Sequence, residues 1–149
     1  LFLLQSRTLL LHLTIIPAYF FIYSFYCIFI SMKVIINDNI LKVKVSATPD
    51  SISKGMMGKK FDESFDGMLF FMPNTTEQSF WMYNCIIPLD IIFINGTEIT
   101  EIHSNCQPCN DNKNCESYQG FGNTVLEVEG RYCKNHGIKK GDNVSFSLI

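Results

Sequence analysis

Residues 55–94, GMMGKKFDESFDGMLFFMPNTTEQSFWMYNCIIPLDIIFI, constrain the fold of this chain more than any other stretch. Five of its six methionines and its single tryptophan fall there, with glycines at 55 and 67 and the run Pro88-Leu89-Asp90. Gly67–Met72 and Ser79–Tyr83 are apolar, aromatic runs separated by Pro73-Asn74-Thr75-Thr76, a cluster that reads as a turn between two strands. Ile91–Ile94 is a continuous apolar strand. It ends in Asn95-Gly96, a strong hairpin signal that predicts an antiparallel return over Thr97–His103.

The flanks carry cleaner periodicity. Leu41, Val43 and Val45 alternate with Lys42 and Lys44, the period of a strand with one buried face. Thr48-Pro49-Asp50-Ser51 predicts a helix start: Thr48 caps, Pro49 takes the first helical position and Asp50 meets the positive dipole end. That helix should stop near Gly55 or Gly58. Residues 104–123 are polar and read as a long loop. Val125–Glu129 alternates with Leu126 and Val128 inward, Arg131–His136 fits a short helix or turn, and Gly141-Asp142 leads into an alternating strand from Val144. Many short strands with one or two helical turns predict a mainly β domain, a small sandwich or jelly-roll-like barrel, over residues 32–149.

Ahead of this domain, residues 8–31 hold no formally charged side chain over 24 positions, more than the roughly 20 that cross a bilayer as a helix. Three readings of residues 1–31 compete, and a cleaved signal peptide yields to the other two because the apolar run is long and no small-x-small cleavage site follows it. Arg7 in front and Tyr19, Tyr23 and Tyr26 within suit a membrane anchor. The leading leucine, the Met32 start of MKVIINDN and the 23 Leu, Phe, Ile, Tyr and Ser residues among the first 31 suit translated upstream sequence. The anchor places the protein at a membrane, the upstream-sequence reading in the cytoplasm.

At these positions a family pattern emerges. Gly55-Met56-Met57, Asp66-Gly67-Met68-Leu69-Phe70, Phe80-Trp81-Met82, Asn84, Ile87-Pro88-Leu89-Asp90-Ile91-Ile92-Phe93, Val125-Leu126-Glu127-Val128 and Gly141-Asp142 occur in order. Together they resemble domain-of-unknown-function family 192 over most of residues 40–149. The resemblance implies a compact β-sandwich of jelly-roll type from bacteria, archaea or phages, and it implies no activity. Tyr83 stands where the family usually has lysine, and Cys85 where it has a small polar residue.

Trp81, Asn84, Asp90 and Met57 are the candidate ligand-binding residues. Asp90 lies inside an apolar run, where an ionised carboxylate costs several kcal/mol unless it is paired. It is either an acid, base or ligand-orienting group, or an acceptor for backbone N–H groups that pins the strand after Pro88. Trp81 is a stacking platform or a core residue, and Asn84 bonds a turn or a ligand. The methionines fill the core or line an adaptable groove; a soft metal such as copper would need two or more sulphurs converging on one point. Cys106, Cys109, Cys115 and Cys133, spaced C-x2-C-x5-C-x17-C, suit zinc, disulfides or free thiols, depending on compartment.

From residue 32 onward the formal charge is 11 − 14 = −3 without a basic cluster, which argues against nucleic acid as a partner. No G-x-S-x-G, H-E-x-x-H or phosphate-cradling glycine loop occurs. The reading that results is a non-catalytic β-domain binding a small molecule or protein around Trp81, Asn84 and Asp90. The alternatives are a hydrolase-like or metal-assisted enzyme using Asp90, and a structural accessory module tethered to a membrane.

Overall fold

Ser31–Ile36 (β1) and Asn39–Ser46 (β2) form a hairpin around Asn37-Asp38 in the computed structural model, which describes residues 31–149. The apolar segment expected ahead of Ser31 lies outside the described residues. No helix among them is long and apolar enough to cross a membrane. After β2 the chain makes the expected helix, Pro49–Lys54 (α1), with a capping box in which Thr48 and Ser51 bond reciprocally. It stops at Gly55, as the sequence predicts.

Gly67–Trp81 (β3) then runs parallel to β2, and every other pairing in the sheet is antiparallel. Leu89–Asn95 (β4) and Glu98–Cys106 (β5) form the expected hairpin. Its register is one residue later than foreseen: Asn95 pairs with Glu98, so Gly96-Thr97 makes the connection. Ser117–Glu129 (β6), the short helix Tyr132–Asn135 (α2) and Val144–Leu148 (β7) complete the chain.

The seven strands lie in one sheet, ordered β5-β4-β6-β3-β2-β1-β7. Mainly β architecture with two short helices is as expected, whereas the jelly roll's two facing sheets are not formed. Instead the sheet curls into a half-barrel, and the start of β5 meets the turn that leads into β7. Ile99 N–H donates to the Asp142 carbonyl (3.0 Å), Gly141 N–H to that of Ile99 (2.8 Å) and Val144 N–H to that of Thr97 (2.7 Å).

The long strands explain how one sheet suffices. Pro73-Asn74-Thr75-Thr76 does not reverse the chain; it is an irregularity inside β3, where the partner shifts from Phe71↔Thr124 to Thr76↔Gly122. The buried Gln78 amide closes it, donating to the carbonyls of Asn74 (2.9 Å) and Gly122 (3.0 Å). Likewise, residues 117–123, expected in a loop, belong to β6. Beyond the irregularity, Thr76–Trp81 and Ser117–Gly122 form a ribbon that folds over β4. A Cβ on Gly120 would meet the Phe93 ring at 2.3 Å, and one on Gly122 the Ile94 carbonyl oxygen at 2.2 Å, so only glycine permits this approach.

Two cores result. Inside the curl, Val34, Leu41, Leu69, Ile92, Leu126 and Val144 pack together. On the outer face of β3, β4 and β6, Met56, Phe65, Phe70, Met82, Phe93 and Val125 pack beneath α1 and its following loop. With both faces covered, β4 reads as an apolar run rather than an alternation.

Candidate functional site

Asp90 points into the inner core and has no exposed surface. Its Oδ1 accepts from the backbone N–H groups of Asn105 (2.7 Å) and Arg131 (2.7 Å) and from the Ser104 hydroxyl (3.0 Å). Its Oδ2 accepts from the Cys133 N–H at 2.8 Å. Four donors from two segments, residues 104–105 and 131–133, therefore converge on one carboxylate, offsetting the cost of burying it. Asn105 and Arg131 hold left-handed backbone, φ 57° and 72°, in presenting those amides. The arrangement is a strut joining β4, the end of β5 and the start of α2. A carboxylate without exposed surface has no path to a substrate, so the acid–base role considered for Asp90 finds no geometry.

The candidate cysteines are divided. Cys109 and Cys115 form a disulfide. Cys106 is a free thiol in the outer core and Cys133 one in the inner core, on opposite faces of the sheet. Four thiolates spread in this way cannot form the tetrahedral zinc site that their spacing suggested. No cluster of three or more His, Cys, Asp or Glu side chains suited to a metal occurs among the described residues. The disulfide loop instead docks on the chain beside Trp81: Cys109 N–H donates to the Met82 carbonyl (3.0 Å) and Asn84 N–H to that of Cys109 (2.8 Å). Asn84, at φ 54°, also accepts from Gly58 N–H (2.9 Å) through its carbonyl, and serves as a junction between loops.

Trp81 and Met57, by contrast, share a cleft. It measures about 160 Å³ between α1 with its following loop and the far end of β3, and Met56, Met72, Phe80 and Cys85 line it as well. Trp81 is 43% exposed at the rim, tilted against Tyr83 at 5.2 Å between ring centroids. Asn84 and Asp90 are absent from its lining.

The cleft also contains a residue that sequence reasoning did not single out. Glu127 pairs with Met68 on β3 and Ile91 on β4, pointing outward, opposite to the expected inward pair Leu126 and Val128. Outward is not solvent here, because the loop after α1 covers this face. Glu127 is 3% exposed, and its Oε2 has no hydrogen-bond partner. Desolvation pushes its carboxyl up to about 8, against the pull of the nearby Lys59 ammonium. Gly55 borders this oxygen: a Cβ there would stand 3.7 Å from it, an ordinary contact. Burial also pushes the neighbouring Cys85 thiol up to about 12.

The titration of Glu127 has a measurable consequence. Between the ordinary carboxyl value of 4.5 and about 8, the unfolded chain ionises while the folded chain keeps its proton. Stability should therefore fall across that window by roughly 1 kcal/mol per pH unit and level off above it. Glu127→Gln should remove this slope, leaving the variant more stable than wild type at pH 8 and equal to it near pH 4.5. Urea midpoints with the same pH dependence in wild type and variant would contradict a buried, unpartnered acid.

A second hollow of about 620 Å³ lies over the Asp90 strut, beside Pro88, Asn105, Gly130 and Arg131. It is wider but more open, and the unpartnered buried oxygen belongs to the Trp81 cleft, so the smaller space is the better candidate site.

Comparison with known proteins supports the fold. The family model DUF192, described as Uncharacterized ACR, matches residues 32–146. The chain is similar to a solved structure from Sinorhizobium meliloti 1021 titled as a presumed transcription regulator, at 25% identity and TM-score 0.68. That match covers 78% of this chain and 92% of the other. It is also similar to a protein of unknown function from Novosphingobium aromaticivorans DSM 12444, at 28% identity and TM-score 0.66, covering 77% of this chain and 83% of the other. No curated protein matches.

Proposed function

Because the chain belongs to domain-of-unknown-function family 192, no family activity directs the reading of its cleft, and we propose that it is a non-catalytic binding module whose ligand sits between Trp81 and Glu127. The orphaned Oε2 of Glu127 carries this reading. A buried polar atom without a partner costs about 1–3 kcal/mol. A ligand that supplies a partner recovers that cost, and so binds in preference to water-exposed surfaces.

Size limits the occupant. About 160 Å³ is close to the cavity of about 150 Å³ that takes a benzene molecule, and well short of a drug-sized pocket. The ligand is a small group or ion, enclosed by thioether and aromatic walls, with one polar or cationic point directed at Glu127. Catalysis has less support, since the one base in the lining besides Glu127, Lys54, is paired with Asp50 at 3.0 Å. The description of one similar structure as a regulator does not lead to DNA here: residues 32–149 carry −3 (11 − 14) with no basic cluster along the sequence.

A thermal-shift screen of small molecules and ions against the full chain tests the proposal. A ligand at a hundred times its Kd should add about 2.7 kcal/mol of stability. Glu127→Gln and Trp81→Ala should each lose that shift. Ligands whose shifts survive both substitutions would place binding elsewhere and overturn the reading.

A further inference from the structure

We infer that the cleft is a site for a soft monovalent metal ion of the copper(I) class, held by the sulphurs of Met56, Met72 and Cys85 beside the carboxyl of Glu127. This rests on the binding reading above and names the ligand. Its basis is a shared lining that the sequence could not show. Three of the chain's six methionines, at 56, 57 and 72, line one small cleft together with a free thiol and an unpartnered buried carboxyl. Met32, which packs against the inner core on the far side of the sheet, is an internal control.

Chemistry selects the ion. Thioether and thiolate donors are soft and favour copper(I) over zinc, calcium or magnesium. Methionine is unbranched and flexible, so thioethers on facing walls of so small a space can meet at its centre. Charge favours a monovalent ion. Cys85 supplies one negative charge when its S–H proton passes to solvent and the metal–sulphur bond forms, with no electron transferred. A divalent ion would in addition require Glu127 to ionise where it is buried, at a cost in charge desolvation. Met57 and Trp81 at the rim give the ion a way in.

Silver(I) is the appropriate probe, because it needs no reductant and leaves the Cys109–Cys115 disulfide intact. The full chain, labelled with 13C at its methionine methyls, is titrated with silver nitrate. One equivalent should shift the methyl resonances of Met56 and Met72 and leave that of Met32 in place. Cys85→Ser, Met56→Leu and Met72→Leu should each weaken silver binding at least tenfold, and Cys106→Ser and Cys133→Ser should not. Met72 is only half-buried, so its variant should fold even if that at Met56 does not. Binding that leaves every methionine methyl unmoved, or that depends on Cys106 or Cys133, would overturn the metal assignment. In that case an organic ligand whose thermal shift needs Glu127 would still uphold the binding reading. If no such ligand exists either, both fall.

Discussion

Asp90→Ala should cost about 3–5 kcal/mol, a large share of the 5–15 kcal/mol that holds a domain of this size together. Truncation leaves three backbone N–H groups, of Asn105, Arg131 and Cys133, buried with no acceptor. Each unsatisfied donor costs about 1–3 kcal/mol. The left-handed backbone at Asn105 and Arg131 then loses the contacts that justify it. Asp90→Asn separates hydrogen bonding from packing. Its amide oxygen can replace Oδ1 and keep the bonds from Ser104, Asn105 and Arg131. Its NH2 then opposes the Cys133 N–H, so the cost should be about half. Equilibrium urea unfolding at constant m measures both. A cost below about 1 kcal/mol for alanine would show that the strut is not structural and would return Asp90 to the list of functional residues.

Gly122→Ala should be comparably damaging, at about 3 kcal/mol or more. The added methyl would stand 2.2 Å from the Ile94 carbonyl oxygen and 2.7 Å from its carbon, both backbone atoms in the central hairpin. Overpacking against movable side chains costs about 1–3 kcal/mol, and a backbone obstacle leaves no side chain to rotate aside. The ribbon must therefore lift from β4, exposing Phe93 and Phe80. Gly120→Ala meets the Phe93 ring instead, so Phe93→Leu should partly rescue it and should not rescue Gly122→Ala. If Gly122→Ala melts within a degree or two of wild type, the ribbon does not lie where it is described.

Much of this architecture was legible in residues whose neighbours along the chain decide the outcome. Thr48 and Ser51 cap one another locally, and the alternation of Leu41, Val43 and Val45 needs only one buried face. Readings failed where distant segments decide. Pro73 and its polar successors have turn chemistry, yet β6 runs alongside to both sides of them and carries the strand onward. The cysteines sit close in sequence, but β4 and β6 part Cys106 from Cys133. Glu127 shows the limit most clearly. The alternation places Leu126 and Val128 inward and Glu127 opposite them, but what covers that opposite face is a loop some 70 residues earlier, which local periodicity does not show. Trp81 and Met57 were found because aromatic and thioether side chains draw attention singly. The carboxyl that gives their cleft its polarity did not.

Since β4 is wallpapered on both sides, the two cores are neighbours through a single partition. A loosened packing contact above that strand is felt below it, and neither half can melt and leave the other standing. An occupant of the cleft would press on β6 through Glu127, one strand away from that partition.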